Sequence, residues 1–459
     1  MKKKANAEGN GLRARVAELR GDYERALGSL VEIPSVSMDP ERRADVDRCA
    51  EVAASLLRDI GAEVDIIQTA GLPLLLGRVV RDPSFPTVTI YNHLDVQPAD
   101  PAAWSSPPFT FTRDGDRWRG RGTTDDKGPA LATLFGAGMA LEDDLRLNLQ
   151  FLWEMEEEIG SPSFADALGK LVKGGLRTDS VVVSDTIWSA AGRPAIPYGL
   201  RGLMGFCVRL QTGDKDVHSG TTGGAARNPI TELCALVDDC VDAHSGRVKI
   251  PGFYDAVRRL RPSERRSLAQ SGFSRRRFQA AHGLRSVRFR EDARLAEAIM
   301  AAPTFEVHGI VGGYTGAGIK TIVPHFAEAK LSCRLVPDQR PAKVFRLVKD
   351  FIRQKCPDAE VIPESSLEPY AADPHGPHHE AAVQAMAAAF GRAPALTREG
   401  GSIGAVVTMD KLLRAPIVLL GLSLPEHGYH AVDENFDWGQ ASGGMEMFCR
   451  YFRALAAEP

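Results

Sequence analysis

The chain predicts an α/β protein in which a main domain, with a mixed central sheet flanked by helices, is interrupted by a smaller inserted α+β unit. Three observations predict it. Helix and strand signals alternate up to about residue 196, change character from Pro197, and resume the first pattern near Pro374. At 459 residues the chain exceeds what one hydrophobic core usually serves. Five segments place a metal-binding side chain just past an apolar, strand-like run: His93 after PTVTIYN, Asp125 in GRGTTDDKG, Glu158 after LNLQFLWEM, Asp185 after SVVVS, and His430 beyond PIVLLG. In an open α/β sheet, residues beyond the carboxyl ends of the strands converge on one crevice however far apart they lie in sequence.

The spacing of apolar residues predicts helices over Leu12 to Val31 and Ala44 to Ile60, the second stopped by Gly61. Strands follow at Glu63 to Ile67, Leu74 to Val80 and Thr87 to Tyr91. Pro129 is expected to open a helix to about Leu141, since proline is tolerated in a first helical turn. Strands Leu147 to Trp153 and Ser180 to Val183 complete a first part, residues 1–196. The insertion, residues 197–372, reads as strand Met204 to Leu210, helix Ile230 to Ala243, strands near Thr304 to Ile310 and at Ala327 to Leu335, and helix Ala342 to Lys355. Residues 373–459 return to the main domain with helix His379 to Phe390, strand Pro416 to Leu420 and a last helix from about Gly439 to Leu455.

Composition narrows the function classes. With 44% hydrophobic and 25% charged residues and a net charge of -3, the chain reads as soluble and globular. The basic start MKKKANAEGNGLRAR lacks the apolar stretch of a secretory signal, and no run approaches the 18 apolar residues of a membrane span, so a cytoplasmic location without membrane partners is expected. Seven cysteines, without C-x-x-C spacing, argue against a disulfide framework or zinc knuckle. Arg258 to Arg290 carries eleven arginines against one acid, Glu264. Sparse aromatics and the acidic balance of the chain favour a solvated helical face there over a nucleic-acid site.

Two histidines and three carboxylates suffice for a pair of zinc ions, held as in catalytic sites that keep a position open for water. His93 and Asp95 form His-x-Asp, in which the carboxylate can hold the ring or shape the ligand loop. Asp125 can bridge two cations through its two oxygens, whereas Asp126 reads as a solvated or helix-capping acid. In the run Glu154, Glu156, Glu157, Glu158, one carboxylate is expected to ligate metal while another stays free to accept a proton from water. Without a cation such acids would repel one another.

The strings HLDVQPADPAAWSSPPF, GRGTTDDKGP, EEEIGSPSF, SDTIW, DVHSGTTGG, KTIVPHFAEAKLSCRLVP and EGGSI closely resemble a family of dinuclear zinc metallopeptidases. That family includes carnosinase-type dipeptidases, carboxypeptidase G, acetylornithine deacetylase and succinyl-diaminopimelate desuccinylase. The motifs run in the family's order from His93 to His430, and DVQP and CRLVP look most like the dipeptidase branch. The resemblance implies a zinc-exopeptidase-like domain with an inserted ferredoxin-like lid through which two chains dimerise. It implies two Zn2+ per subunit, with Mn2+ or Co2+ able to substitute: one bound by His93 and Asp185, the other by Glu158 and His430, with Asp125 bridging. Glu157 is then the general base, Asp95 supports the site, and His218 is lent to the active site of the neighbouring subunit. Arg334 grips the terminal carboxylate of the substrate, and Asn228, Thr321, Ser402 and Glu399 are further substrate contacts.

Two departures stand out. The family's usual His-x-x-Asn-Glu is here His430, Ala431, Val432, Asp433, Glu434, and His427 is a rival ligand; the interval from Ser402 favours His430. Asn92 replaces the glycine common before the first ligand. Three functions compete: a dipeptidase or short-peptide exopeptidase, an N-acyl-amino-acid deacylase sharing every ligand, and a non-catalytic binder on the same fold. A free glutamate beside a ligand glutamate argues against the binder.

Overall fold

Four parallel strands, Thr87–His93, Asn148–Glu154, Ser180–Val183 and Ile417–Leu419, end side by side in the computed structural model, which describes residues 2–457, with side chains described from residue 9. Two antiparallel strands, Leu74–Val79 and Glu63–Ile67, extend the sheet beyond Asn148–Glu154 to make six. The four parallel strands are buried on both faces, the setting in which strands read as largely apolar runs. Side chains alternate between two cores: Val88, Ile90, Leu149, Phe151 and Val182 face one, while Tyr91, Leu152, Val181 and Val183 face the other. The first core is closed by the helices Arg20–Val31, Arg43–Asp59, Lys127–Leu141 and Trp438–Ala456, and the second by Phe164–Lys173 and Gly404–Leu413.

Residues 202–367 contain a second sheet, antiparallel throughout, in the spatial order Glu306–Gly312, Phe326–Leu335, Gly202–Gln211, Glu360–Leu367. With the helices Pro229–Cys240 and Pro341–Lys355 it has the β-α-β-β-α-β order of a ferredoxin-like unit. Met204, Phe206, Val208, Leu331, Val348 and Ile352 belong to its own core.

Differences from the sequence reading have local causes. The helix expected over Leu12 to Val31 is two, Lys2–Glu18 and Arg20–Val31, joined at Leu19, whose ψ is -2°. The break lets the first pack on Trp438–Ala456 and the second on Lys127–Leu141. Pro129 is the third residue of its helix, which begins at Lys127. The arginine-rich segment is not simply a solvated face. Its helix Pro262–Gln270, together with the following helix Asp292–Met300, packs on the strand Ala395–Glu399, and Arg275–Ala281 packs against the turn Pro425–His427.

Candidate active site

At the carboxyl end of Thr87–His93, the His93 ring is buried, with Nε2 3.0 Å from Asp125 Oδ1 and 3.8 Å from Asp185 Oδ2. On the other side of Asp125, His430 Nε2 lies 3.0 Å from Asp125 Oδ2 and 3.0 Å from Glu158 Oε2. Two groups of donor atoms result, His93, Asp125, Asp185 and Asp125, Glu158, His430, each within 4.8 Å. Asp125 belongs to both. The five predicted ligands therefore converge, in two sets of imidazole and carboxylate donors that suit zinc. Asp125 reaches the site by another route than a strand end: it precedes the helix Lys127–Leu141, after the hairpin of Thr112–Asp114 and Arg117–Arg119.

His427 is not a ligand in this arrangement. It is buried with Nε2 2.9 Å from Asp437 Oδ2, and its Nδ1 accepts the Leu424 N–H at 3.1 Å. Both ring nitrogens are occupied in holding the turn from which His430 projects.

Buried groups brace the ligand loops. Asp95 accepts the backbone N–H groups of Glu157 and Glu158 at 3.2 and 3.1 Å, and its Oδ1 lies 3.4 Å from His93 Nδ1. Glu434 accepts the N–H groups of Gly122, Thr124 and Asp125 at 2.9, 2.9 and 3.1 Å, and pairs with Arg121 at 2.8 Å. Lys127 Nζ donates to the carbonyls of Leu30 and Ile33 at 2.8 and 3.1 Å, at the carboxyl end of a helix where positive charge is favoured. Gly128 is required by close approach: a Cβ there would stand 2.1 Å from the Thr123 carbonyl oxygen.

Asp126 is neither solvated nor a side-chain cap. It is fully buried and accepts from Asn92 Nδ2 at 2.7 Å, so Asn92 joins the polar network rather than only shaping a turn. Burial, reinforced by Asp185, pushes the Asp126 carboxyl well above its usual range.

The acidic run divides its labour. Glu156 accepts the N–H groups of Leu72 and Ser163 at 2.6 and 2.9 Å, and Glu154 accepts from Tyr91 and Ser161. Those two hold the loop. Glu158 joins the donor set, while the Glu157 carboxylate has no hydrogen bond or ion pair among the described residues. Burial pushes Glu157 well above the carboxylate range, against the pull of His93 and with the help of Asp185 and Glu158. Burial likewise raises Asp185 to about 6. His430 is raised to about 10 by its hydrogen bonds to Asp125 and Glu158. Burial opposes charge on Asp125, yet His430 and His93 hold it below the usual range. The cleft is short of positive charge, the condition that a bound cation relieves.

The remaining predicted residues lie apart from this centre or at its margin. His218 is exposed on a two-residue ribbon paired with Ile322–Val323; its Nδ1 accepts the Gly220 N–H at 2.8 Å. Thr321 is exposed beside it, its carbonyl taking the Ser219 N–H at 3.0 Å. Asn228 caps the helix Pro229–Cys240 by accepting from Ile230 N at 3.1 Å. Arg334 Nη1 donates to Ser402 Oγ at 2.8 Å. Glu399, raised to about 8 by burial and by Asp185, accepts the Ile187 N–H at 3.4 Å. A residue that the sequence reading passed over, Arg201, donates to the Gly400 carbonyl at 2.9 Å, and its own carbonyl accepts the Ser402 hydroxyl. Burial, and after it the charge of Arg334, lower the basicity of Arg201, while burial lowers that of Arg334; neither has a carboxylate in salt-bridge range among the described residues. The only advance signal for Arg201 was an arginine beside the glycine that starts a strand, which is no signal at all.

Residues 89–454 match the model of peptidase family M20/M25/M40. The Cys-Gly metallodipeptidase dug1 of Schizosaccharomyces pombe is 32% identical over 459 residues, spanning 95% of this chain and 96% of that protein. The Beta-Ala-His dipeptidase of Rattus norvegicus is 30% identical, over 93% of this chain and 91% of its own length. The solved structure of the di-peptidase Dug1p from Saccharomyces cerevisiae superposes with a TM-score of 0.85 at 28% identity, covering 98% of this chain and 99% of that one. With donor sets of this kind in the cleft and similarity along nearly its whole length, the chain belongs to peptidase family M20/M25/M40 and is a metal-dependent hydrolase of peptide bonds.

Proposed function

We propose that the protein is a dizinc dipeptidase or short-peptide exopeptidase of the cytoplasm, working as a homodimer. The observation that carries this reading is Asp125, shared between two donor sets, with Glu157 half-buried beside them and its carboxylate without a hydrogen bond or ion pair among the described residues. His93 and Asp185 would hold one Zn2+ and Glu158 and His430 the other, Asp125 lying between; Mn2+ or Co2+ could replace zinc. Two such cations, when bound, supply Lewis-acid polarisation and acidify water.

The chain's own residues do the rest. Glu157, acting as the carboxylate, takes a proton from the attacking water and, once protonated, returns it to the departing amine. Asp95 fixes the Glu157 and Glu158 backbone, so the base and its neighbour keep separate directions. Arg334, presented by Ser402 and seconded by Arg201, receives the terminal carboxylate in a planar fork. Glu399 lines the other end of the substrate. His218, with Thr321 and Asn228 nearby on the inserted unit of the neighbouring subunit, meets charge developing on the carbonyl oxygen. Residues 1–196 and 373–459 would then form the catalytic domain and residues 197–372 the lid and dimer contact. Two features support the dimer: the exposed His218, and the edge strand Glu306–Gly312 with Val307, Ile310 and Val311 open to solvent.

Glu157→Gln tests the reading. Turnover of dipeptides is expected to fall by about 10²–10⁴-fold, with metal content unchanged by elemental analysis. Hydrolysis at the parental rate would remove Glu157 from its role.

A further inference from the structure

The eleven arginines of residues 258–290 are not absorbed by the hydrolytic machinery, yet their helices are built onto elements that lead into the candidate site. Glu264 anchors the segment: buried, it accepts from Arg398 Nη2 at 2.6 Å, from Tyr198 Oη at 2.8 Å and from the Arg261 backbone at 2.8 Å. Ser267 Oγ adds a bond to the Leu396 carbonyl at 2.6 Å. The strand so gripped, Ala395–Glu399, runs directly into Glu399 and on to Ser402. At the other side, the helix Arg275–Ala281 packs against the turn Pro425–His427, three residues before His430. The segment therefore abuts the strand that leads to Glu399 and Ser402 on one side and the turn that leads to His430 on the other.

Its charge is largely unspent. Arg258, Arg261 and Arg265 pair with Asp338, Glu264 and Glu297; the other eight arginines have no ion pair among the described residues. Arg276, Arg277 and Arg285 are exposed. Of the neighbouring acids, Glu426 is exposed on the turn itself, Glu291 is exposed directly after Arg290, and Asp292 is engaged by the Arg275 backbone N–H at 3.0 Å. A cluster of one sign beside a concave site concentrates ligands of the other.

We propose that this segment is a cationic rim selecting peptides that carry a side-chain carboxylate in addition to the terminal one. The proposal rests on the peptidase reading above. A zwitterionic dipeptide has no net charge for the rim to act on, whereas one containing Asp or Glu is an anion. Because the arginines act across solvent, with a screening length of about 8 Å at physiological salt, the effect should appear in kcat/KM and fade as salt rises.

The test compares a neutral dipeptide with its Asp- or Glu-containing counterpart on the full-length, metal-loaded enzyme and on the triple variant Arg276→Gln, Arg277→Gln, Arg285→Gln. The expected result is a loss of about 3–10-fold in kcat/KM for the acidic peptide at low salt, a neutral peptide unchanged within about twofold, and recovery when the three positions are lysine. Equal losses on both peptides, no loss on either, or failure of the lysine variant to recover would overturn the proposal. So would salt-sensitive binding of a labelled oligonucleotide that the triple variant loses while acidic-peptide turnover stays intact. If the parent enzyme turned over no peptide at all, the peptidase reading itself would fall, an outcome separate from each of these.

Discussion

The two faces of the proposed site are built in opposite ways. At the sheet, His93, Asp125 and Glu158 are held by hydrogen bonds that involve backbone groups and Asp185 by the Tyr429 hydroxyl, with only His430 half-exposed. On the inserted unit, His218 stands in solvent on a two-residue ribbon with Thr321 exposed beside it, and neither side chain has a partner in the cleft among the described residues. On the reading proposed above, the first face is assembled within one chain, and the second acts on the site of a neighbouring subunit. This teaches that the metal face should survive changes in assembly, whereas the turnover face should not.

The largest effect expected on the inserted unit breaks that asymmetry directly. His218→Ala should cost about 10²–10³-fold in kcat, the size of a lost donor to a developing oxyanion, while leaving bound metal untouched. Mixing it with Glu157→Gln under conditions of subunit exchange should restore part of the activity, because one site of the mixed dimer then carries both intact residues. No recovery on mixing would mean that His218 serves its own chain or none.

A smaller effect should come from the bracing behind the metal face. Glu434 gathers three backbone N–H groups of the Asp125 loop, so Glu434→Ala would leave those donors buried without an acceptor. Metal affinity is expected to weaken by about 10–100-fold, as for other groups that support ligands from behind. Metal titration by competition with a chelator would measure it. An unchanged affinity would mean that Asp125 is held by its helix alone.

How much of this could be read from the sequence follows the same division. Ligands beyond apolar runs were legible because a parallel sheet gathers its strand ends, and both His93 and Asp185 obey that rule. Asp125 was recognised for its motif although no sheet strand delivers it. The choice of His430 over His427 rested on spacing; what separates them physically is Asp437, which claims the His427 ring. Asn228 precedes a proline at a helix start, a capping signature, and that is the role its side chain plays. Glu434 and Asp126 were illegible in their true roles. Their surroundings are assembled from segments far apart in the chain, Glu434 reaching across 309 to 313 positions, and no local pattern records such a contact.

The smallest effect sharpens the comparison at the seam between the two faces. Burial works against the charge of Glu264, but hydrogen bonds from the Arg261 backbone, Tyr198 and Arg398 bring it down to about 2. A carboxyl depressed on folding stabilises the folded state above its unfolded pKa of about 4.5, and that contribution is lost as pH falls through the folded value of about 2. After allowance for solvent screening the stabilisation amounts to about 1–2 kcal/mol. Glu264→Gln should therefore lower stability at pH 7 and flatten its dependence on pH between about 4.5 and 2. Denaturant melts at a series of pH values would show it. A parental slope in the variant would mean that the arginine-rich segment is fastened to the strand Ala395–Glu399 by packing rather than by this charge, and that the seam is as insensitive to acid as the apolar cores on either side.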